Sequence, residues 1–202
     1  LLAKEKPALI LLEISTPSLA FDLETAQLLK SELPETIIAV CGPHATYFHE
    51  EIIRDYNFID ICIRGEFEFV LLDLCRALMG NHSLHSVEGI TFREEHKVIA
   101  NKERAFNADL DNVPYPDRVS FKIDDYRQAF YSGKKTAMVI SSRGCPFNCV
   151  FCLWPSTVGG RKFRARTAKN VVDEIQYLID KMGVDEIIFD DDTFTLDNQR
   201  VK

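Results

Sequence analysis

Three short, continuously apolar runs, each followed by residues at helical spacing, constrain the fold of this 202-residue chain most strongly. The runs cover residues 8–14, 36–41 and 58–63. A strand that lacks polar alternation has both faces covered, which is typical of parallel sheets flanked by helices. Between and after the runs, apolar residues recur every three or four positions, as amphipathic helices require. The sequence therefore predicts a parallel, doubly wound α/β sheet in the first half of the chain.

The turns after these strands are the first candidate site. Parallel sheets of this kind bind ligands beyond the carboxyl ends of their strands. Gly42 and Gly65 are expected where a ligand approaches the backbone closely. The candidate residues of these turns are Ser15, Thr16, Gly42, Pro43, His44, Gly65 and Glu66.

The pattern changes after the third strand and helix. Residues 87–101 predict a hairpin, because two short apolar runs flank a polar turn. Periodicity then disappears over a polar stretch with Pro114, Pro116 and Gly133, which predicts a linker. The remaining residues predict a strand, a long loop, a helix, a strand and an acidic loop. This order is typical of the opening of a β/α barrel or of another α/β sheet. We predict a first domain at 1–100, a linker at 101–135 and a second domain at 136–202.

Half of the six cysteines lie within eight residues, as Cys145, Cys149 and Cys152 in a C-x3-C-x2-C pattern. A structural zinc site usually takes four protein ligands. No fourth ligand is nearby, since the nearest histidines, His85 and His96, belong to the predicted first domain. Three thiolates on a 4Fe–4S cluster would leave one iron open for a substrate or cofactor. The spacing favours such a cluster, with a structural zinc site as the alternative.

Composition excludes some partners. The formal net charge of −7 argues against a nucleic-acid backbone or an anionic membrane as the main partner. No apolar run approaches the roughly 18 residues that a membrane helix needs. Clustered cysteines without a secretory signal indicate a reducing, cytoplasmic location. The chain begins without Met and ends within a helical pattern, so we expect a fragment, shortened at both ends, that turns over no substrate itself.

The cysteine pattern, with Phe151 before the last cysteine, resembles the radical S-adenosylmethionine (radical SAM) superfamily. The resemblance implies that the three cysteines hold a 4Fe–4S cluster, whose open iron binds S-adenosylmethionine and cleaves it to a 5′-deoxyadenosyl radical. It also implies that Phe151 lies near the adenine. The run Asp190, Asp191 and Asp192 stands where the family has a Gly-Gly-Glu-like motif that contacts the methionine amino group. The alternative is a solvated acidic turn.

Other stretches resemble the cobalamin-binding class of that superfamily, namely 41–46, 63–66, 113–116, 141–146 and 189–194. This implies a Rossmann-like (flavodoxin-like) cobalamin-binding domain followed by the beginning of a radical SAM β/α partial barrel. Residues 152–166 resemble the subgroup that acts on hopanoids and on magnesium-protoporphyrin esters. Two departures are Cys41, where the family often has Gly, and the absence of a D-x-H-x-x-G motif, which implies base-off cobalamin binding. For His44 we expect a local hydrogen bond rather than a bond to cobalt.

The resemblance implies an enzyme that uses a 4Fe–4S cluster, S-adenosylmethionine and cobalamin to methylate or rearrange an unactivated carbon. Its expected partners are a small-molecule or lipid-like substrate and a low-potential electron donor of the flavodoxin or ferredoxin type. Two alternatives remain open. One is a cobalamin-free radical SAM oxidoreductase, and the other is a corrinoid- or metal-binding module without catalysis.

Overall fold

The computed structural model describes residues 2–80, 82–121 and 135–202 and divides into two units. The first unit comprises Leu1–Phe106 and Cys149–Gly159. The second comprises Asn107–Asn148 and Gly160–Lys202.

The first unit alternates strands and helices and then closes with a hairpin. In chain order its elements are α1 (Leu2–Glu5), β1 (Leu9–Glu13), α2 (Leu19–Glu32), β2 (Ile37–Cys41), α3 (Pro43–Tyr47), α4 (His49–Asp55), β3 (Ile61–Ile63), α5 (Phe67–Leu78), β4 (Ile90–Glu94) and β5 (Lys97–Ala100). In this part of the described chain the strands form one sheet in the order β1-β2-β3-β4-β5. The first three strands are parallel, and β4 and β5 add to them antiparallel.

Successive side chains along each strand point to opposite faces of the sheet, and each face packs in its own hydrophobic layer. Ala39, Ile61 and Ile63 pack with Val70 and Leu74 of α5 on one face. The other face carries strand residues Ile38, Val40 and Cys62, which pack against α2, α3 and α4 residues Ala26, Ala45, Ile52 and Ile53. Both faces of the central strands are therefore covered, which explains why these strands lack polar residues.

The α/β class and the predicted hairpin are confirmed, and two details differ. The hairpin joins the sheet edge beside β3, so the sheet is mixed rather than purely parallel. The helical spacing of Phe48, Ile52 and Tyr56 predicts one helix, whereas the chain forms α3 and α4 with Phe48 between them. Helix α3 begins at Pro43, which is favoured at a first helical position because the absent N–H would have no partner there.

The second unit contains β6 (Thr136–Val139), β7 (Ser142–Arg143), β8 (Arg164–Ala165), α6 (Ala168–Met182), β9 (Glu186–Phe189) and α7 (Asn198–Val201). Strands β6 and β9 are parallel, and β7 pairs antiparallel with β8. The sequence favours Thr167 as the N-cap of α6 and Gly183 as the residue that follows its end. Both are confirmed, because Thr167 accepts the Asn170 N–H and Gly183 has a left-handed φ of 62°. This strand–helix–strand order agrees with the opening of a β/α barrel.

The described part of the predicted linker packs within these units. Residues 107–121 belong to the second unit, where Asp111 accepts hydrogen bonds from the N–H and hydroxyl of Thr167 at 2.8 and 2.7 Å. The Tyr115 hydroxyl donates to the Asn170 carbonyl at 2.9 Å. Gly133, which helped to define the linker, lies outside the described residues.

Candidate functional site

The three turns after β1, β2 and β3 meet through side-chain hydrogen bonds. Thr16 Oγ1 lies 3.0 Å from Nδ1 of His44, which links the first turn to the second. Thr46 Oγ1 donates to the Gly42 carbonyl at 2.9 Å and accepts the Gly65 N–H at 3.0 Å, which links the second turn to the third. The structure thus brings the predicted turn residues together at one edge of the sheet.

Position 42 requires glycine because the backbone of Ile14 lies very close to it. Its φ is 98°, and a Cβ atom there would lie 2.8 Å from the backbone oxygen of Ile14. Contacts below about 3 Å between such atoms are not tolerated, so only glycine fits between β1 and α3. At Gly65, with φ of 71°, an added Cβ would meet Phe106 at an ordinary 3.7 Å. The expected approach of a ligand to these glycines stays a prediction.

His44 is engaged locally, as expected. Burial lowers the pKa of His44, so the ring is neutral at neutral pH, and Nδ1 faces the Thr16 hydroxyl. Its ring also lies 4.7 Å from that of Phe48, measured between centroids. These contacts favour a positioning role for His44.

Of the remaining turn residues, Pro43 and Glu66 lie at the beginning of helices, and Ser15 takes part in a hydrogen-bond network with Ser18. Ser15 Oγ lies 2.8 Å from Ser18 Oγ, which donates to Asp22 at 2.6 Å, so the first turn is tied to α2. Pro43 is the first residue of α3. Glu66 directly precedes α5. Small and polar residues therefore line the edge at which sheets of this kind bind ligands, and this composition fits a large polar cofactor such as cobalamin.

The cysteine loop (residues 144–153) leaves the second unit from β7. The Cys145 N–H donates to the Gly160 carbonyl at 3.1 Å, next to the pairing of β7 with β8. The Cys152 N–H donates to the Cys149 carbonyl at 3.1 Å. All three thiols are free; Cys145 is half-buried, and Cys149 and Cys152 are exposed. Soft thiolates are the donors that iron–sulfur clusters use, so the donor chemistry fits.

The described residues contain no group of three or more His, Cys, Asp or Glu side chains already gathered to hold a metal ion. Metal sites often assemble only as their ligands bind the metal. Joint coordination by the three cysteines therefore stays a prediction.

Two other cysteines, Cys41 and Cys62, are buried in the first unit, and burial raises the pKa of the Cys41 thiol to about 12. They pack as small apolar residues, as the sequence predicts.

The cysteine loop presents apolar side chains to the outside. Phe151 is 87% exposed, and Phe147, Val150, Leu153 and Trp154 are exposed as well. A contiguous exposed apolar segment usually marks a surface that contacts a ligand or another part of a protein.

The acidic loop (residues 190–194) follows β9, and its carboxylates differ. The Asp191 side chain is 0% exposed and accepts the N–H groups of Ser141 and Ser142 at 2.6 and 2.9 Å. Asp192 accepts the Gly144 N–H at 3.2 Å, and burial, opposed by that bond, raises its pKa. Asp190 is exposed. A uniformly solvated acidic turn is therefore wrong for Asp191.

Two further residues belong to this arrangement and were not predicted as site residues, Ser141 and Arg200. Ser141 is fully buried, and its hydroxyl hydrogen bonds with both Asp191 and Arg200. The signal was the adjacent pair Ser141–Ser142 directly before the cysteine motif. Four basic residues follow the cysteine motif, namely Arg161, Lys162, Arg164 and Arg166. Two of them have structural roles, because Arg164 and Arg166 are buried and donate to the backbone carbonyls of Asn107 and Ile140. Arg161 donates to Asn148 at 2.5 Å.

No helix in the described residues has the length and apolar character needed to cross a membrane.

Two family models match the chain. A model described as "B12 binding domain" matches residues 1–74, and one described as "Radical SAM superfamily" matches residues 139–202. The chain is 33% identical over 187 residues to an uncharacterised methyltransferase of Pyrococcus horikoshii, covering 92% of this chain and 40% of that protein. It is 28% identical over 204 residues to the anaerobic magnesium-protoporphyrin IX monomethyl ester cyclase of Cereibacter sphaeroides, covering 96% and 32%. The chain thus spans well under half of each relative.

A solved structure shares the fold. The cobalamin-dependent S-adenosylmethionine radical enzyme OxsB, with aqua-cobalamin and S-adenosylmethionine bound, superposes with a TM-score of 0.74 at 24% identity. The match covers 99% of this chain and 28% of that one.

Proposed function

Because this chain belongs to the radical SAM proteins that carry a B12-binding domain, we propose that it serves a cobalamin-dependent radical SAM enzyme that methylates or rearranges an unactivated carbon. One observation carries the proposal. The C-x3-C-x2-C motif lies directly after β7, and the carboxylates that follow β9 hold the residues just before its first cysteine. The relatives' names, a methyltransferase and an ester cyclase, agree with carbon-centred chemistry.

We assign Cys145, Cys149 and Cys152 as the three ligands of a 4Fe–4S cluster. Three protein ligands leave one iron for the amino and carboxylate groups of S-adenosylmethionine. When bound, the cluster would supply the electron for reductive cleavage of S-adenosylmethionine, and cobalamin would supply a carrier for the transferred group. The exposed Cys149 and Cys152 thiols are accessible for loading of the cluster.

The residues around the cysteines would bind and orient S-adenosylmethionine. Phe151, whose ring is 87% exposed, is free to pack on the adenine. The acidic loop supplies carboxylates for the methionine ammonium, since a charge-assisted hydrogen bond between these groups is strong. Asp190 and Asp192 are exposed and suit this contact. The exposed apolar side chains Phe147 and Leu153 would exclude water once they are covered.

The first unit would bind cobalamin over the turns that contain Ser15, Thr16, Gly42, Pro43, His44, Gly65 and Glu66. Hydrogen bonds between these turns hold them in one arrangement before a ligand arrives. Neutral His44, held by Thr16, would support the turn over which cobalamin binds.

We further propose a cobalamin-binding domain at 1–100, a connecting segment at 101–135 and the start of a radical SAM barrel at 136–202. The substrate would be a small or lipid-like molecule, because the exposed surface of the cysteine loop is apolar. A low-potential donor of the flavodoxin or ferredoxin type would reduce the cluster in the cytoplasm. The net charge of −7 disfavours nucleic acid as substrate.

Anaerobic reconstitution tests the proposal. The protein is incubated with iron, sulfide and hydroxocobalamin, desalted, and analysed for iron, acid-labile sulfide and corrinoid absorbance. We expect four irons and four sulfides per chain together with one corrinoid. Replacing Cys149 by Ala should abolish iron retention, whereas the matched Cys75→Ala change should leave it intact. One zinc per chain with no iron uptake would contradict the cluster assignment.

A further inference from the structure

The proposed function leaves unexplained why one carboxylate of the acidic loop is buried while the other two are exposed. Asp190 and Asp192 are exposed, yet the side chain of Asp191 is 0% exposed. Burying a carboxylate is costly unless its acceptor positions and its charge are matched. The contacts of Asp191 therefore indicate what it does.

The carboxylate of Asp191 accepts three hydrogen bonds from Ser141 and Ser142, which precede the cysteine motif. Its Oδ1 accepts the Ser141 N–H at 2.6 Å and the Ser142 N–H at 2.9 Å. Its Oδ2 accepts the Ser141 hydroxyl. A carboxylate with three such donors has little capacity left for a cofactor ammonium.

The charge of Asp191 is balanced by Arg200, whose side chain is 11% exposed. Arg200 Nη2 lies 3.9 Å from Asp191 Oδ2, and Nη1 donates to the Ser141 hydroxyl at 3.0 Å. Helix α7 fixes this arginine, because the Asp197 carboxylate caps the helix by accepting the N–H groups of Gln199 and Arg200 at 3.0 and 3.1 Å.

These contacts continue along the backbone to the first cysteine. Asp192 accepts the Gly144 N–H at 3.2 Å, so two consecutive carboxylates hold three of the four residues that precede Cys145. Cys145 itself is held through its N–H by the Gly160 carbonyl at 3.1 Å. The thiol of Cys145 therefore starts from a backbone that the acidic loop fixes.

We infer that Asp191, with Ser141 and Arg200, is a positioning network that sets the backbone from which Cys145 reaches the cluster, and that Asp191 does not contact S-adenosylmethionine. The inference rests on the proposed function for the cluster, but the network itself is a property of the protein without cofactor. It divides the acidic loop by role: Asp191 is committed to the backbone before Cys145, Asp192 is exposed but also accepts the Gly144 N–H, and exposed Asp190 is left for a ligand.

Hydrogen–deuterium exchange of the cofactor-free protein tests this division. Asp191→Asn keeps the shape of the side chain and removes its charge. We expect exchange of the Ser141 and Ser142 amides, which donate to Asp191, to accelerate about ten-fold, the factor that corresponds to weakening a hydrogen bond to a charged group. The alkylation rate of Cys145 should rise relative to that of Cys152. Exchange in α6 should not change.

Two variants keep the test decisive. Asp190→Asn, the matched control, should leave exchange at residues 141–144 as in the unmodified protein. Ser141→Ala removes only the hydroxyl and should give a smaller acceleration at the same amides, which tests the network even if Asp191→Asn does not fold. Unchanged exchange at these amides in both Asp191→Asn and Ser141→Ala, or equal acceleration in α6, would overturn the inference.

Cluster loading separates this inference from the proposed function. After reconstitution, Asp191→Asn should retain several-fold less iron, and Asp190→Asn should retain the full amount. If the unmodified protein takes up no iron while its exchange responds as expected, the proposed function fails and the network stands. If it loads a full cluster and exchange does not respond to Asp191→Asn or Ser141→Ala, the network fails and the function stands.

Discussion

Individual residues show where sequence reasoning reaches its limit in this protein. The glycine at position 42 was recognised as special, but the sequence suggested a ligand as the reason. The structure shows a reason within the chain, the Ile14 carbonyl, which directly follows β1 and is brought close to Gly42 only by the fold. The approach of a ligand to Gly42 stays a prediction. Asp191 is similar, since its burial depends on Ser141 and Arg200, residues 50 and nine positions away. The sequence can therefore indicate that a residue has a special role, but its contacts become known only from the fold.

Gly42→Ala tests the close approach at this scale. We expect a loss of about 3 kcal/mol in the free energy of unfolding, because the substitution adds backbone strain at φ 98° and a clash with Ile14 O. Gly80→Ala is the control, since Gly80 has φ of 83° but nothing within 4 Å of an added Cβ. It should cost about 1 kcal/mol. Urea denaturation measures both, and equal losses would show that the Ile14 contact is unimportant.

At the scale of elements, periodicity predicted most of the fold. The apolar runs became β1, β2 and β3, and the predicted cap and end of α6 are confirmed at Thr167 and Gly183. The pairing of β7 with β8 was not predicted, because each strand has only two residues and is too short to show an alternation of polar and apolar residues. The pairing of the hairpin strand β4 with β3 was not predicted either, because the sequence does not show that the hairpin joins the parallel strands in one sheet.

The buried face of α6 was partly wrong. The helical spacing of the apolar residues predicts that Val172 and Ile179 lie on the buried face, but they are 59% and 49% exposed. Glu174 is buried instead, between Val171 and Leu178 on the same face. Its carboxylate accepts from Arg166 at 2.6 Å and from Arg118 at 3.2 Å. A glutamate in a helix is normally exposed, so only knowledge of these two arginines could have placed it inside.

Glu174→Gln tests that ion-pair network. Removing one member of a buried charge network leaves the others without compensation, so we expect a loss of about 3 kcal/mol in stability. Asp173→Asn on the same helix is the control, because the Lys169–Asp173 pair is exposed and should contribute less than about 1 kcal/mol. Thermal unfolding followed by circular dichroism reports both. A loss no greater for Glu174→Gln than for Asp173→Asn would mean that the network does not stabilise the second unit.

For the whole molecule, the sequence identified the class through one specific motif and several weak ones. The cysteine spacing pointed to the radical SAM family because three clustered thiolates without a fourth ligand match few known sites. The family-model matches to the B12-binding and radical SAM regions confirm that recognition. Substrate identity could not be predicted, because the family motifs are carried by residues expected to bind the cofactors, and the chain spans 40% and 32% of the two relatives compared.

Electron paramagnetic resonance of the reconstituted, reduced protein with and without S-adenosylmethionine tests the central claim most directly. We predict a reduced 4Fe–4S signal whose g values shift when S-adenosylmethionine is added, because the cofactor would bind the iron that Cys145, Cys149 and Cys152 leave open. Cys149→Ala should abolish the signal. A cluster signal that does not respond to S-adenosylmethionine would contradict the open-iron assignment.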